Sequence, residues 1–511
     1  MLSPTPFTII AIFLCYWAAQ SVINHRRSGE KQNETDWASI VDSRGNRFPD
    51  FSYCGYHNSD IPTPSNDYFN VSVSVPWRSM GDMTPLIQEA IDNVAQRGGG
   101  LVKLPRGKMT ITAGIQLRSN VVVTGFGKIG TTLVLEKKPT KPVFALGNLD
   151  LAPKAEFGIK SNITNEYVPI GSSVVTVNDS AGFAVNQSVY ICRDATESWV
   201  RANGMSDLVR DGVAQTWIPA GKKIMSPNKI ESIDGNHITL KIPLADALDS
   251  AYMKPQVWAY MPPVVASEMG VENLRIEIPN TCSGTPLDDT SCNSAAVSFS
   301  SWTVDSWASG LTLVGFNKFF EVQRDASRIT IQNSTMTRDR DIEGVAIPAD
   351  ISISGSQVLV QDCTQAGLET ARTFSVTTDS LTPGPNTVTR HKTRSSVQTI
   401  FPHQRWAQGL LVEGSLVPTL FVNRDTKGTG QGWTINAGVG WNLGGYVDFE
   451  SPPLGINWCV GCGGTNVTTG NATFISPSRQ VMPRSLFAAQ LQARGVHWNA
   501  TVSETSRDVE G

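Results

Sequence analysis

The stretch Asp82-Met83-Thr84-Pro85-Leu86-Ile87-Gln88-Glu89-Ala90-Ile91-Asp92-Asn93-Val94 is followed by Gly98-Gly99-Gly100-Leu101-Val102-Lys103-Leu104-Pro105-Arg106-Gly107, and the hydrophobic period changes between the two. Leu86, Ile87, Ala90, Ile91 and Val94 fall on one helical face behind the start residues Asp82, Thr84 and Pro85. After the glycines the runs are short and β-like. Leu101-Val102-Lys103-Leu104 and Ile115-Gln116-Leu117 to Val121-Val122-Val123 are closed by Pro, Gly, Ser and Asn. One capped helix ahead of short strands predicts a helix sealing a stack of β-coils. Gly125-x-Gly127-x-x-Gly130 matches a dinucleotide fingerprint, but Thr131 to Leu135 continues as β where that motif needs a helix.

Downstream the same signal recurs. Short runs at residues 270–278, 309–313, 327–331, 357–361, 386–389, 409–412 and 432–435 follow at roughly 20 to 35-residue intervals, the range of solenoid repeats. Each is too short to bury its own apolar face, and stacking gives them a shared core. Residues 168–260 read differently, as a small antiparallel module with an Asp234-Gly235-Asn236 hairpin. Inside it, Trp199 to Trp217 is a long loop carrying Arg201, Asn203, Met205, Arg210 and Gln215, placed to overhang a groove.

The chain has 511 residues, 40% hydrophobic and 17% charged, with net charge −3. That balance excludes an electrostatic nucleic-acid or anionic-membrane partner. Phe7 to Trp17 is apolar and precedes Ala18-Ala19-Gln20-Ser21, so residues 1–21 read as a cleaved secretory signal. The alternative is an uncleaved membrane anchor over residues 7–23. Residues 22–48 read as a flexible lead. Sequons at Asn33, Asn70, Asn162, Asn178, Asn186, Asn333, Asn466, Asn471 and Asn499 are glycosylation candidates and agree with an extracellular location. Cys282 with Cys292 and Cys459 with Cys462 are the local disulfide candidates, leaving Cys54, Cys192 and Cys363. A lone Cys459-x-x-Cys462 lacks the second pair that zinc needs.

The pattern Asp82-x-Thr84-x-x-Ile87-Gln88-x-Ala90-Ile91-Asp92, then Gly99-Gly100-x-Val102-x-Leu104-Pro105-x-Gly107, Leu117-x-Ser119-Asn120-Val121 and Gly125-x-Gly127 resembles the N-terminal part of the pectate-lyase-like superfamily. Val271-Glu272-Asn273-Leu274 fits the same family. The resemblance spans about Phe51 to Trp441 and implies an all-β chain. Its fold would be a single-stranded right-handed parallel β-helix with an N-terminal cap helix and a small inserted antiparallel β-module. The expected layout is cap and first coils over 49–167, insert over 168–260, main coils over 261–450 and a covering segment over 451–511, with Ser485 capping a short helix. Phe51 to His57 is expected to lie across the N-terminal end of the stack. The superfamily holds lyases, hydrolases, epimerases and tail spikes, so the fold chooses no chemistry. Calcium is implied by the resemblance alone, and the carboxylate cluster of true pectate lyases is not found. Nor is the paired-aspartate series of polygalacturonases.

The densest polar and aromatic stretch is Pro402-His403-Gln404-Arg405-Trp406, followed by Asn423-Arg424-Asp425 and Gly428 to Asn436. β-Elimination on a uronic-acid polymer needs a neutralised carboxylate, a base and a proton donor. His403, Arg405 and Gln431 are the catalytic candidates: His403 as base, Arg405 with Gln431 on the carboxylate. Trp406, Asn423, Arg424, Trp433 and Asn436 are substrate-binding candidates, with Arg390 and His391 one coil earlier. The favoured expectation is a secreted polysaccharide lyase acting on an acidic polysaccharide, with no metal. The alternatives are a glycoside hydrolase using Asp425, Glu413 or Asp448, or a non-catalytic solenoid that binds sugar.

Overall fold

The computed structural model describes residues 33–78, 81–148, 153–278, 293–339, 347–462 and 467–497. The signal or anchor segment, the start of the lead, the Cys282/Cys292 pair and the sequons at Asn466 and Asn499 lie outside them. Three parallel sheets of thirteen, ten and six strands make a β-helix. Each full coil contributes one strand to each sheet, as Thr303–Ser309, Thr312–Val314 and Lys318–Val322 do before Ser327–Gln332 begins the next.

Register explains the core. Val123, Val271, Ala308, Ile331, Val360, Val388 and Val412 pair in succession from coil to coil. All seven are buried in one cluster. Period-2 alternation places the same side chain inward at every rung, so an apolar ladder runs along the axis. Residue 432–435 is a misplaced rung: Ile435–Asn436 joins a separate two-stranded sheet with Ala407–Gln408, and Val439–Trp441 takes the expected place.

Helix Thr84–Gln96 closes the first coils with Ile87, Ala90, Ile91 and Val94 buried. Asp82 Oδ1 accepts from the Thr84 amide at 2.9 Å and the Thr112 amide at 3.2 Å, tying the helix start to the first coil. A polar residue at Ile91 would forfeit about 1.5–3 kcal/mol of burial there.

The insert interrupts the chain but not the sheets. Val121–Thr124 pairs directly with Gly270–Glu272, and Thr131–Leu135 with Arg275–Glu277. Between them a six-stranded antiparallel sheet forms, with Asp234 opposite His237 at the hairpin. Its first strand, Glu156–Asn162, precedes the Val168 boundary expected from sequence. That strand is almost wholly exposed, and its alternating apolar residues, Phe157 and Ile159, are only two.

Residues 33–48 do not behave as a flexible lead. Asn33–Glu34 pairs with Val481–Met482, and Asn46 Oδ1 accepts from the Ile170 amide at 2.9 Å. The segment from Phe51 to Ser59 lies on the outer face of the first sheet, where the Gly55 amide donates to Gln357 O, and not across its end. Helix Leu486–Ala493 packs beside it: Ser485 Oγ caps the helix, and Gln490 Oε1 accepts from the Phe51 amide at 2.9 Å. Leu359, Leu411, Val439 and Trp441 on the outer side of the sheet are covered this way. Among the described residues no helix is long and apolar enough to cross a membrane.

Candidate functional site

The insert leans over the coils and leaves a cleft of about 860 Å³ between them. One wall is the insert's central strands, Ser188–Asp194 and Gln256–Met261, which pair Tyr190 with Trp258. Alternation sends Val189, Ile191 and Val257 into the insert's own core and turns Tyr190 and Tyr260 to the cleft. The two phenols stack at 4.3 Å, with Phe157 and Trp302 each 6.2 Å from one of them. The opposite wall is the turn column ahead of the first sheet, with Trp302, Arg324, Asp325 and Arg328. Trp302, Asp325 and Arg328 adopt positive φ, a conformation that turns a side chain out of the strand direction.

Tyr190 donates its hydroxyl to Asp325 Oδ1 at 3.4 Å. Burial holds the Asp325 carboxyl above the usual carboxylate range, against the pull of Arg324 and the Tyr190 hydrogen bond. Burial also pushes Tyr260 up to about 12 and raises Tyr190, so both phenols stay protonated at neutral pH. Among the described lining residues, Lys154, Lys229, Lys241, Arg324 and Arg328 stand beside one carboxylate, Asp325. Arg328 is held by Asp305 through Nε at 2.6 Å and Nη2 at 2.9 Å.

Behind Arg328, donor atoms of His57, Glu268 and Asp305 lie within 4.8 Å of one another. Glu268 already accepts from Tyr56 at 2.5 Å and lies 2.7 Å from His57 Nε2. Asp305 has both oxygens on Arg328. With an imidazole nitrogen and a guanidinium in the group, these residues do not fit the all-oxygen shell of calcium.

The stretch singled out by sequence has a different part. His403 and Gln431 do meet, Nε2 to Nε2 at 3.1 Å, and Arg424 Nη1 donates to His403 O at 3.0 Å. Asn423 is tied back by its amide to Glu450 Oε2 at 2.5 Å. Arg405 donates Nε to Trp217 O at 2.5 Å and Nη2 to Thr429 O and Oγ1, each at 2.8 Å. The expected sugar platforms are interior: Trp406 and Trp433 are buried in the insert's core. Trp199 and Trp217 stack at 5.0 Å, and Trp406 meets Trp199 edge-on at 4.8 Å. The segment from helix Glu197–Ala202 through the loop to Trp217 is therefore the insert's foot on the coils. Gly432 sits beneath it at φ +51, where a Cβ would lie 2.4 Å from Trp217.

Asn436 is fully buried and donates to Asp246 Oδ1 at 2.9 Å, which also takes Trp406 Nε1 at 3.2 Å. Arg193 completes this lock through Nε to Asp246 Oδ2 at 2.8 Å. His391 is buried against Ser375 Oγ at 2.6 Å and touches no groove. Arg390 is taken up by Asp362 at 2.7 and 2.6 Å. Glu413 receives Ser485 Oγ and the Phe487 amide, and so anchors the C-terminal helix instead of a glycosidic bond. Cys459 and Cys462 form a buried disulfide, while Cys54, Cys192 and Cys363 are free and buried. Asn70, Asn162, Asn178, Asn186, Asn333 and Asn471 are exposed.

No protein-family model and no curated protein matches the chain. Solved structures do. The Gp54 tailspike of Acinetobacter baumannii bacteriophage AP22, in complex with capsular saccharide, is 10% identical over 86% of this chain and 72% of its own, with a TM-score of 0.31. The Escherichia coli bacteriophage HK620 tailspike, in complex with pentasaccharide, is 12% identical over 84% of this chain and 50% of its own, at 0.35. The A-module of the Azotobacter vinelandii mannuronan C-5 epimerase AlgE6 is 10% identical over 82% of this chain and 99% of its own, at 0.33. These are likenesses of fold.

Proposed function

We propose that this chain is a secreted carbohydrate-active β-helix protein that holds an acidic polysaccharide in the cleft under the insert and cleaves it by β-elimination. The observation that carries the reading is the described lining of the cleft: five cationic side chains, of which Arg328 is already paired with Asp305, and one carboxylate, Asp325, in contact with a phenol. A uronate held by Arg324, with Lys229 and Lys241 drawing the polyanion in from the rim, has its carboxylate charge offset, which acidifies the neighbouring C–H. Asp325, made more basic by burial, takes that proton. Tyr190 gives its proton to the departing oxygen as the C–O bond breaks and the C=C bond forms. The stacked Tyr190 and Tyr260, with Trp302 and Phe157, offer apolar faces to sugar rings.

Hydrolysis would need two carboxylates flanking the bond. The described cleft supplies one, which favours elimination. The purified chain, supplied with uronic-acid polymers and with neutral glucans, should generate ultraviolet absorbance of unsaturated ends from the former only. Reducing ends without that absorbance would instead identify a hydrolase. Binding without either product would identify a non-catalytic solenoid.

A further inference from the structure

The cleft does not stop at Asp325. Arg324 donates Nη2 to Ser380 O at 3.0 Å, and Pro383 is part of the cleft wall. Backbone amides climb the same turn column coil by coil, from Gln323 on Phe299 O to Ser354 on Val322 O, Asp379 on Ile353 O and His403 on Thr378 O. Three such steps carry the column about 14 Å along the axis.

At its far end stand two half-buried guanidiniums, Arg405 and Arg424. Both donate only to neutral oxygens: Arg405 to Trp217 O, Thr216 O, Thr429 and Gln404, and Arg424 to His403 O. Neither makes an ion pair among the described residues. Burial holds each guanidinium below its ordinary range, the signature of a cation short of compensation. The Phe401 ring lies 5.2 Å from Arg424, and Phe374 lies 5.7 Å from the His403 ring, so apolar faces flank the charges.

Among the neighbouring charges, Asp379 has Oδ2 occupied by Ser354 Oγ at 2.5 Å, Glu450 Oε2 takes the Asn423 amide and Arg210 donates to Gly428 O, while Asp425 and Lys427 are exposed at the rim. Gln431, only 8% exposed, directs Nε2 at His403 and leaves its buried Oε1 unpartnered. Burial first, then Arg424 and Arg405 against Asp379, brings His403 down to about 4.

We infer that Arg405, Arg424 and His403 form an anion-binding subsite, which takes a carboxylate or sulfate group of a saccharide chain continuing out of the cleft. The polymer's identity rests on the proposed function. The preference for an anion rests on the unpaired guanidiniums alone. An anion seated here neutralises the cations and makes protonation of His403 easier.

The test is an NMR titration of the His403 imidazole in the full chain, assigned by loss of its signal in His403→Gln. Inorganic sulfate is added at ionic strength held constant with chloride. Sulfate should raise the apparent pKa of His403 by about 1 unit or more, and Arg424→Gln should abolish the rise while Arg424→Lys retains part of it. No rise in the wild type, or an equal rise in Arg424→Gln, overturns the subsite. A uronate oligomer and a sulfated neutral oligosaccharide, run as separate arms, tell which anion the chain carries. The Asp325→Asn variant separates the two ideas. Its turnover should fall by about 10²- to 10⁴-fold while the sulfate response persists. A missing response with turnover intact sinks only the subsite, and a response with no wild-type turnover sinks only the lytic reading.

Discussion

The cleft and the His403 region lie on one turn column, yet they are built in opposite ways. At the cleft, two bodies face each other across space: Tyr190 and Tyr260 from the insert, Trp302, Asp325 and Arg328 from the coils. At the His403 end the same two bodies are in contact, and Trp199, Trp217, Trp406 and Trp433 fill the seam. A dense run of aromatic and polar residues therefore marks where the insert is bolted down. The gap it holds open is lined by residues far apart in the chain. Trp406, Trp433 and Asn436 in the seam are spent on the insert, whereas the groups in the gap keep faces and charges for a ligand.

The seam is tested most directly at Asp246, which joins Arg193, Trp406 and Asn436 there. Asp246→Ala leaves the buried Arg193 uncompensated and should lower unfolding free energy by about 3–5 kcal/mol. Denaturant unfolding followed by tryptophan fluorescence reads this. An effect below about 1 kcal/mol would show that the seam is not what holds the insert. Asp325→Asn, by contrast, should leave the midpoint nearly unchanged and reduce turnover of an acidic polymer by about 10²- to 10⁴-fold. Equal turnover in this variant would remove Asp325 from the chemistry.

How much of this was legible depends on whether the signal was local. The cap helix, the coil ladder and the Asp234-Gly235-Asn236 hairpin are written in contiguous periodicities, and the structure has each of them. His403 and Gln431 were also legible as a pair, being one coil apart. The roles of Trp406, Trp433 and Asn436 were not, because a buried tryptophan and a sugar platform have the same composition, and only the insert's docking decides between them. Asp325 and Tyr190 escaped because neither sits in a motif. The available signal was Gln256-Val257-Trp258-Ala259-Tyr260, where alternation puts Trp258 and Tyr260 opposite the buried Val257 and Ala259 and so announces an aromatic face.

The seam and the gap should also differ in acid. His403 drops from 6.5 to about 4 on folding, so the unfolded chain binds the proton more readily. The stability owed to neutral His403 is full above pH 6.5 and is lost as pH falls from 6.5 towards 4, by up to about 3 kcal/mol. His391, fully buried and likewise lowered to about 4, acts in the same direction. Carboxyls such as half-buried Asp325 and buried Asp350, held above their ordinary range, act in the opposite sense as pH rises. The difference between wild type and His403→Gln cancels all of these shared groups. It should be flat above pH 6.5 and shift against the wild type between 6.5 and 4. A flat difference across that window would mean that His403 is open to water and that this end of the column is not a seam.

The smallest effect sharpens the gap itself. Lys229 and Lys241 are exposed at its rim, so each should contribute no more than about 1 kcal/mol to holding a polyanion. Such charges act through the field and not through a fixed geometry, and salt screens them within a Debye length of about 10 Å at 0.1 M. Lys229→Ala with Lys241→Ala should therefore weaken binding of an acidic polysaccharide a few-fold at low ionic strength and scarcely at all at 0.5 M salt. The rate of product formation at saturating polymer should stay the same, because neither lysine need touch the reacting carbon if Arg324 holds the carboxylate. A loss of saturated rate that salt does not erase would place one of the lysines on the uronate itself, and Arg324 would then be the steering charge.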